Sequence, residues 1–211
     1  MIPALEALKM LKEGNQRFAA GLRHRSLPCD QSQRDELVIR QSPFAIILGC
    51  SDSRVPAELV FDQGLGDLFV IRVAGNIVAP SQVGSVEFAA ERFGTRLVVV
   101  LGHSKCGAVT ATLEQLKQPK ESRSPNLRSI VNRIRPSVET LLETGLHTDT
   151  DALLRHAVRA NIRTSTSHLR NGSALLEELI QKDELLVVGA EYSLETGVVD
   201  FFDGVPRTSA A

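Results

Sequence analysis

The stretches CSDSRV and GHSKCG hold the residues of this chain best suited to chemistry. The first supplies Cys50, Asp52 and Arg54 at alternate positions, and the second supplies His103 and Cys106 three residues apart. Two thiols, an imidazole and a carboxylate form a set of soft and borderline donors that suits tetrahedral zinc. Each residue alone also has an ordinary reading. A cysteine at a strand end is commonly a small buried hydrophobe. A single histidine is commonly a satisfied polar residue, and an aspartate two residues before an arginine is commonly a loop ion pair. Gly49, Gly102 and Gly107 flank the candidate ligands and allow close backbone approach.

What favours chemistry is where the surrounding elements put these groups. FAIILGC (44–50), DLFVIRVAGN (67–76), LVVVLGH (97–103) and ELLVVGAEYS (184–193) are apolar runs too short for core helices. GVVDFF (197–202) follows the last of them after a hairpin-like connection. Helical patterns lie between: SQVGSVEFAAERFG, GAVTATLEQLK, TDALLRHAVRANIRTSTSHLRNG, SALLEELIQK, and NLRSIVNRIRPSVETLLETG with a bend or break at Pro136. Near the amino end, Leu5, Leu8, Leu11 and Phe18 share one helical face that Gly21 closes. Continuous aliphatic strands alternating with helices predict an α/β fold. Its central β-sheet is mostly parallel, with one antiparallel edge strand, flanked by helices and extended by an N-terminal helical arm over 1–21. The whole of 1–211 reads as a single domain. Ligands of open parallel sheets gather at the carboxyl ends of the strands. Cys50 and His103 each end such a strand, so they face the same side of the sheet.

Composition narrows the function classes. The chain is 43% hydrophobic but only 4% aromatic, with no Trp, so its core is aliphatic. A formal net charge of -1 gives no electrostatic support for nucleic-acid binding. No stretch approaches the roughly 20 apolar residues of a membrane span, and the first residues lack the apolar centre of a signal peptide. Three cysteines in 211 residues do not form a disulfide framework and fit a reducing, cytoplasmic setting. Cys29 lies outside both motifs and reads as an idle thiol, a redox switch being the alternative.

CSDSRV followed by GHSKCG at this separation resembles the β-class carbonic anhydrases, and the similarity continues through FVIRVAGNIV, GSVEFAAERFG and VVGAEYSLETGVVDFF, over about 41–202. The resemblance implies one Zn2+ per subunit, held by Cys50, His103 and Cys106. Asp52 is then a movable fourth ligand that either closes the site or pairs with Arg54. The implied reaction is reversible hydration of carbon dioxide to bicarbonate and a proton. Zinc-bound hydroxide attacks, oriented by the Asp52–Arg54 dyad. The resemblance further implies a substrate pocket of Gln41, Phe69, Ala74, Gly75 and Phe88. Phe88 stands where related sequences often have Tyr, and Val73 where Asn is common. Gln41, with no Trp in the chain, points to the open-site, plant-type subgroup. Members of the family are homodimers that pack into tetramers or larger assemblies, so Gln41 and Phe69 are expected to serve a neighbouring subunit's zinc. The N-terminal helix either wraps that neighbour or docks on its own domain. His24 or another surface group is expected to relay the proton.

Two rival readings use the same residues. One is the same fold acting on carbon disulfide or a related heterocumulene. The other is a non-catalytic zinc protein in which Asp52 never leaves the metal. A nucleotide-binding sheet protein is disfavoured, because no phosphate-cradling glycine loop follows the first strand.

Overall fold

The computed structural model describes residues 2–22, 31–118, 124–144 and 149–206. His24 and Cys29 lie outside the described residues. The elements in chain order are α1 (Ala4–Ala19), α2 (Gln31–Ile39), β1 (Ala45–Gly49), α3 (Ala57–Val60), β2 (Leu68–Arg72), α4 (Pro80–Arg92), β3 (Leu97–His103), α5 (Gly107–Lys117), α6 (Pro125–Val138), α7 (Thr150–Asn171), α8 (Ala174–Gln181), β4 (Leu186–Tyr192) and β5 (Val199–Asp203). Short 3-10 turns occupy Ala74–Asn76 and Glu139–Glu143.

The strands form a five-stranded sheet in the order β2-β1-β3-β4-β5. The first four run parallel, and β5 pairs antiparallel with β4. This is the mostly parallel sheet with one antiparallel edge expected from the aliphatic runs. β1 and β3 are buried along their whole lengths, because successive side chains point to opposite faces and both faces are covered. Ile46, Leu48, Val98, Val100 and Val187 pack on one face with residues of α4 to α8. Ile47, Val99, Leu101, Val188 and Ala190 pack on the other with α1 and α3. Burying each such aliphatic side chain contributes about 1.5–3 kcal/mol.

α1 docks on its own domain. It buries Ala7, Leu8, Leu11, Gly14 and Asn15, but Leu5, expected on the same apolar face, is 60% exposed. The buried stripe is carried instead by Ala7 and by small residues that allow close approach. A Cβ on Gly14 would stand 1.9 Å from the Phe61 carbonyl oxygen. Asn15 then ties the helix down: its amide donates to the carbonyls of Val60 at 3.1 Å and Gly197 at 2.9 Å, and its oxygen accepts from the Val199 N–H at 2.8 Å.

Pro136 does not end α6, which runs on to Val138 before tightening into the 3-10 turn. The carbonyl that Pro136 leaves without a helical donor belongs to Asn132, an exposed residue. α2 has no counterpart among the sequence patterns. Its apolar residues follow no helical period, and Val38 and Ile39 are left 86% and 83% exposed. Among the described residues no helix is long and apolar enough to cross a membrane.

Candidate metal centre

β1 and β3 lie side by side with Gly49 opposite Leu101. The residues just beyond, Cys50 and His103, therefore emerge together at the carboxyl edge of the sheet. β3 ends at His103, and a tight turn leads to Cys106, which caps the amino end of α5. Within that turn Lys105 adopts φ 56°, uncommon for a residue with a side chain. The turn brings the ligand atoms of Cys50, His103 and Cys106 within 4.8 Å of one another, and all three residues are buried.

The protonation pattern of this cluster suits a cation. His103 Nδ1 lies 2.9 Å from the Ser104 carbonyl oxygen. A carbonyl only accepts, so Nδ1 carries a proton, and in the neutral imidazole Nε2 presents its lone pair to the cluster. Nε2 is buried and has no hydrogen-bond partner. Leaving a buried acceptor in that state costs about 1–3 kcal/mol unless something electropositive meets it. The two sulfurs are 4.0 Å apart. Contact with Cys106 pulls the Cys50 thiol down to about 4, against the opposing effect of burial, and the Gly75 N–H adds to the lowering. Cys106 is pushed up by the same contact with Cys50 and by burial. Two thiols held this close resist ionising together, and a dication bound to both would favour both thiolates. An aimed imidazole nitrogen beside two paired sulfurs is a donor set that fits zinc.

The turn Ala74–Asn76 closes over Cys50. The Gly75 N–H donates to Cys50 Sγ at 3.3 Å. Gly75 has φ 72°, and a Cβ there would meet Ile134 Cδ1 at 2.8 Å and Ala108 Cβ at 3.1 Å, so only glycine fits without strain. α7 holds this turn from behind: Asn161 donates to the Gly75 carbonyl at 2.8 Å and Ser165 to the Asn76 carbonyl at 2.9 Å. Ala74 opens the turn and is half-buried.

Asp52 stands at the edge of the cluster, its Oδ2 3.8 Å from His103 Nε2. Arg54 holds it by three hydrogen bonds. The backbone N–H and Nε reach Oδ1 at 3.0 and 2.9 Å, and a terminal guanidinium nitrogen reaches Oδ2 at 2.8 Å. This grip keeps the Asp52 carboxyl well below the usual carboxylate range. A second arginine, unanticipated from the sequence, fixes the loop itself. Arg72, at the end of β2 opposite Gly49, donates to the carbonyls of Cys50 at 3.0 Å and Asp52 at 2.6 Å. Its only sequence signal is a charge closing an otherwise apolar strand.

The remaining pocket candidates are not gathered at this cluster within one chain. Gln41 is exposed and precedes β1, so a strand length of about 16 Å lies between it and Cys50. Phe69 pairs in register with Ile46, about 13 Å before the strand end that carries Cys50. Phe88 belongs with Phe69, their rings 6.2 Å apart, and both adjoin Phe93. Phe88 is 53% exposed. These residues form an open aromatic patch on α4 and β2.

Residues 45–199 match the family model described as carbonic anhydrase. The chain is 40% identical over 194 residues to carbonic anhydrase 2 of Mycobacterium tuberculosis, spanning 90% of this chain and 89% of that protein. It is 38% identical over 198 residues to a carbonic anhydrase of Mycolicibacterium smegmatis, spanning 92% and 91%. Its fold is similar to the solved β-carbonic anhydrase CcaA, with a TM-score of 0.74 and 29% identity over 93% of this chain and 95% of that one. A structure of tetrameric β-carbonic anhydrases from Sordaria macrospora has the same fold, with a TM-score of 0.73 at 23% identity, over 90% and 93%.

Proposed function

The chain belongs to the β-class carbonic anhydrases, zinc-dependent lyases that hydrate carbon dioxide, and we propose that Cys50, His103 and Cys106 hold one zinc ion per subunit while Asp52 and Arg54 form the catalytic dyad. One observation carries the assignment of the dyad. The Asp52 carboxylate lies 3.8 Å from the unpartnered His103 nitrogen, yet both its oxygens are engaged by Arg54. A permanent fourth ligand has no use for a second partner, whereas a catalytic zinc site keeps one position open. The same feature supports the open-site, plant-type reading.

When bound, zinc lowers the pKa of a water ligand to about 7. The rest is work for the chain. Held ionised by Arg54, Asp52 accepts a hydrogen bond from the attacking water and aims its lone pair at the carbon of carbon dioxide. Bicarbonate forms, and the proton passes to solvent. The Gly75 N–H steadies the Cys50 sulfur, and Ala74 and Gly75 keep the neighbouring wall small enough for a linear substrate. Gln41 and Phe69 serve the pocket across a subunit interface, and Phe88 lines it. Gln41 donates its amide N–H to a substrate oxygen, and the aromatic rings exclude water. The exposed Val38, Ile39 and Phe88 side chains favour that homodimer, and further pairing to a tetramer is expected. Two buried free thiols at the centre accord with a reducing, cytoplasmic setting.

Stopped-flow carbon dioxide hydration by the zinc-loaded protein, from about pH 6.5 to 9, tests the reading. Turnover that depends on Asp52 is the expected result. Zinc fully bound with no hydration at any pH would overturn it.

A further inference from the structure

We propose that Ser104 and Glu195 act as positioning residues, a clamp that sets the turn between His103 and Cys106 and so tunes metal affinity. The proposal rests on reading His103 and Cys106 as ligands.

Two residues separate these ligands, and both are gripped from the β4–β5 connection. Ser104 is pinned at four points. Its N–H donates to the Tyr192 carbonyl at 2.9 Å. Its hydroxyl oxygen accepts from the Leu194 N–H at 3.0 Å, and its hydroxyl donates to Glu195 Oε2 at 2.9 Å. Its carbonyl accepts the His103 Nδ1 proton at 2.9 Å, the bond that selects the tautomer and aims Nε2. Lys105, the left-handed residue of the turn, pairs through Nζ with Glu195 Oε1 at 2.8 Å. One carboxylate thus holds both residues of the turn, one with each oxygen. Glu195 is itself seated: Ser193 donates to Oε2 at 3.3 Å, and Ser193 in turn accepts from the Thr196 N–H at 3.2 Å. Glu195 is half-exposed and is not part of the Cys50, His103, Cys106 group, so it acts on the metal only through the turn. Partners that orient a ligating histidine commonly change metal affinity 10- to 100-fold when removed.

The test is zinc affinity, measured by competition with a chelator of known strength, together with the absorption spectrum of the cobalt-substituted protein. Ser104→Ala should weaken zinc binding roughly tenfold and Glu195→Ala about three- to fivefold, the low end of that range because both act at one remove. The double variant should be weaker than Ser104→Ala alone by less than the full Glu195→Ala loss, since the Ser104 contact is shared and only the Lys105 contact is separate. Glu195→Gln keeps an oxygen to accept from Ser104 but sets an amide N–H against Lys105, so its loss should fall between the parent and Glu195→Ala. The cobalt bands should shift in Ser104→Ala and Glu195→Ala and shift less in Glu195→Gln. Parental affinity in Glu195→Ala, additive losses in the double variant, or Glu195→Gln as damaging as Glu195→Ala would each overturn the clamp. If Ser104→Ala does not fold, the Glu195 pair of variants still decides. His103→Ala in the same assay separates the premises: parental zinc affinity there would remove the ligand assignment itself.

Discussion

Replacing Gly75 with alanine puts one methyl group where backbone and packing both refuse it. At φ 72° an L side chain costs about 1–2 kcal/mol. The added Cβ would also stand 2.8 Å from Ile134 Cδ1 and 3.1 Å from Ala108 Cβ, and such overpacking costs about 1–3 kcal/mol. Together the loss is about 2–5 kcal/mol, which for a chain of this size lowers the melting temperature by about 4–20 °C. Function should suffer through the same atom set. The Gly75 N–H reaches Cys50 Sγ, so a turn displaced to relieve the clash withdraws a donor from a ligand and weakens zinc binding roughly tenfold. Calorimetry on the metal-free protein and chelator competition on the loaded one measure the two effects. Gly84 provides the control: it lies within α4, and a Cβ there would meet nothing within 4 Å. Gly84→Ala should therefore raise stability by about 0.5–1 kcal/mol. A Gly75→Ala protein that melts within a degree of the parent and holds zinc equally well would refute the reasoning, because the turn would then relax at no cost.

Asp52→Asn should keep zinc and the fold while lowering carbon dioxide hydration by about 10²-fold or more, read by stopped flow; parental turnover would remove Asp52 from the mechanism. Arg72→Met removes the donor to the Cys50 and Asp52 carbonyls. It should weaken zinc binding roughly tenfold with little change in melting of the metal-free protein, and an unchanged affinity would show that the loop needs no such support. Stripping zinc with a chelator should lower stability by the binding free energy, about 4 kcal/mol at a thousandfold excess over Kd. It should also open Cys50 and Cys106 to a thiol reagent; equal thiol reactivity with and without zinc would contradict their role as ligands.

The sheet was legible because β1, β3 and β4 are continuous aliphatic runs with turn residues at their ends, and a parallel sheet buried on both faces demands that composition. The three clustered residues were legible for the same reason: each strand announces its carboxyl end, and the chemistry sits just past it. What escaped depends on contacts between segments far apart in the chain. Arg72 reads as a stray charge until β2 is laid beside β1. Ser104 and Glu195 read as loop residues until β4 pairs with β3 and brings Leu194 to the turn. α2 escaped because its sequence carries no buried face, and Leu5 was misplaced because Ala7 and Gly14, not leucines alone, define the buried side of α1.

The tie made by Asn15 has a consequence for how the chain is made. A ribosome delivers α1 well before Gly197 and Val199, which supply two of the three backbone partners of Asn15. Until they emerge, the helix can gather Val60 but not complete its seat, and Leu8 and Leu11 remain available to any passing apolar surface. Contacts of such long sequence separation slow folding and lengthen that exposure. The β4–β5 hairpin is therefore also the stitch that completes the seat of α1. Nascent chains halted before Gly197 should be protease-sensitive at α1, and those released beyond Asp203 should not.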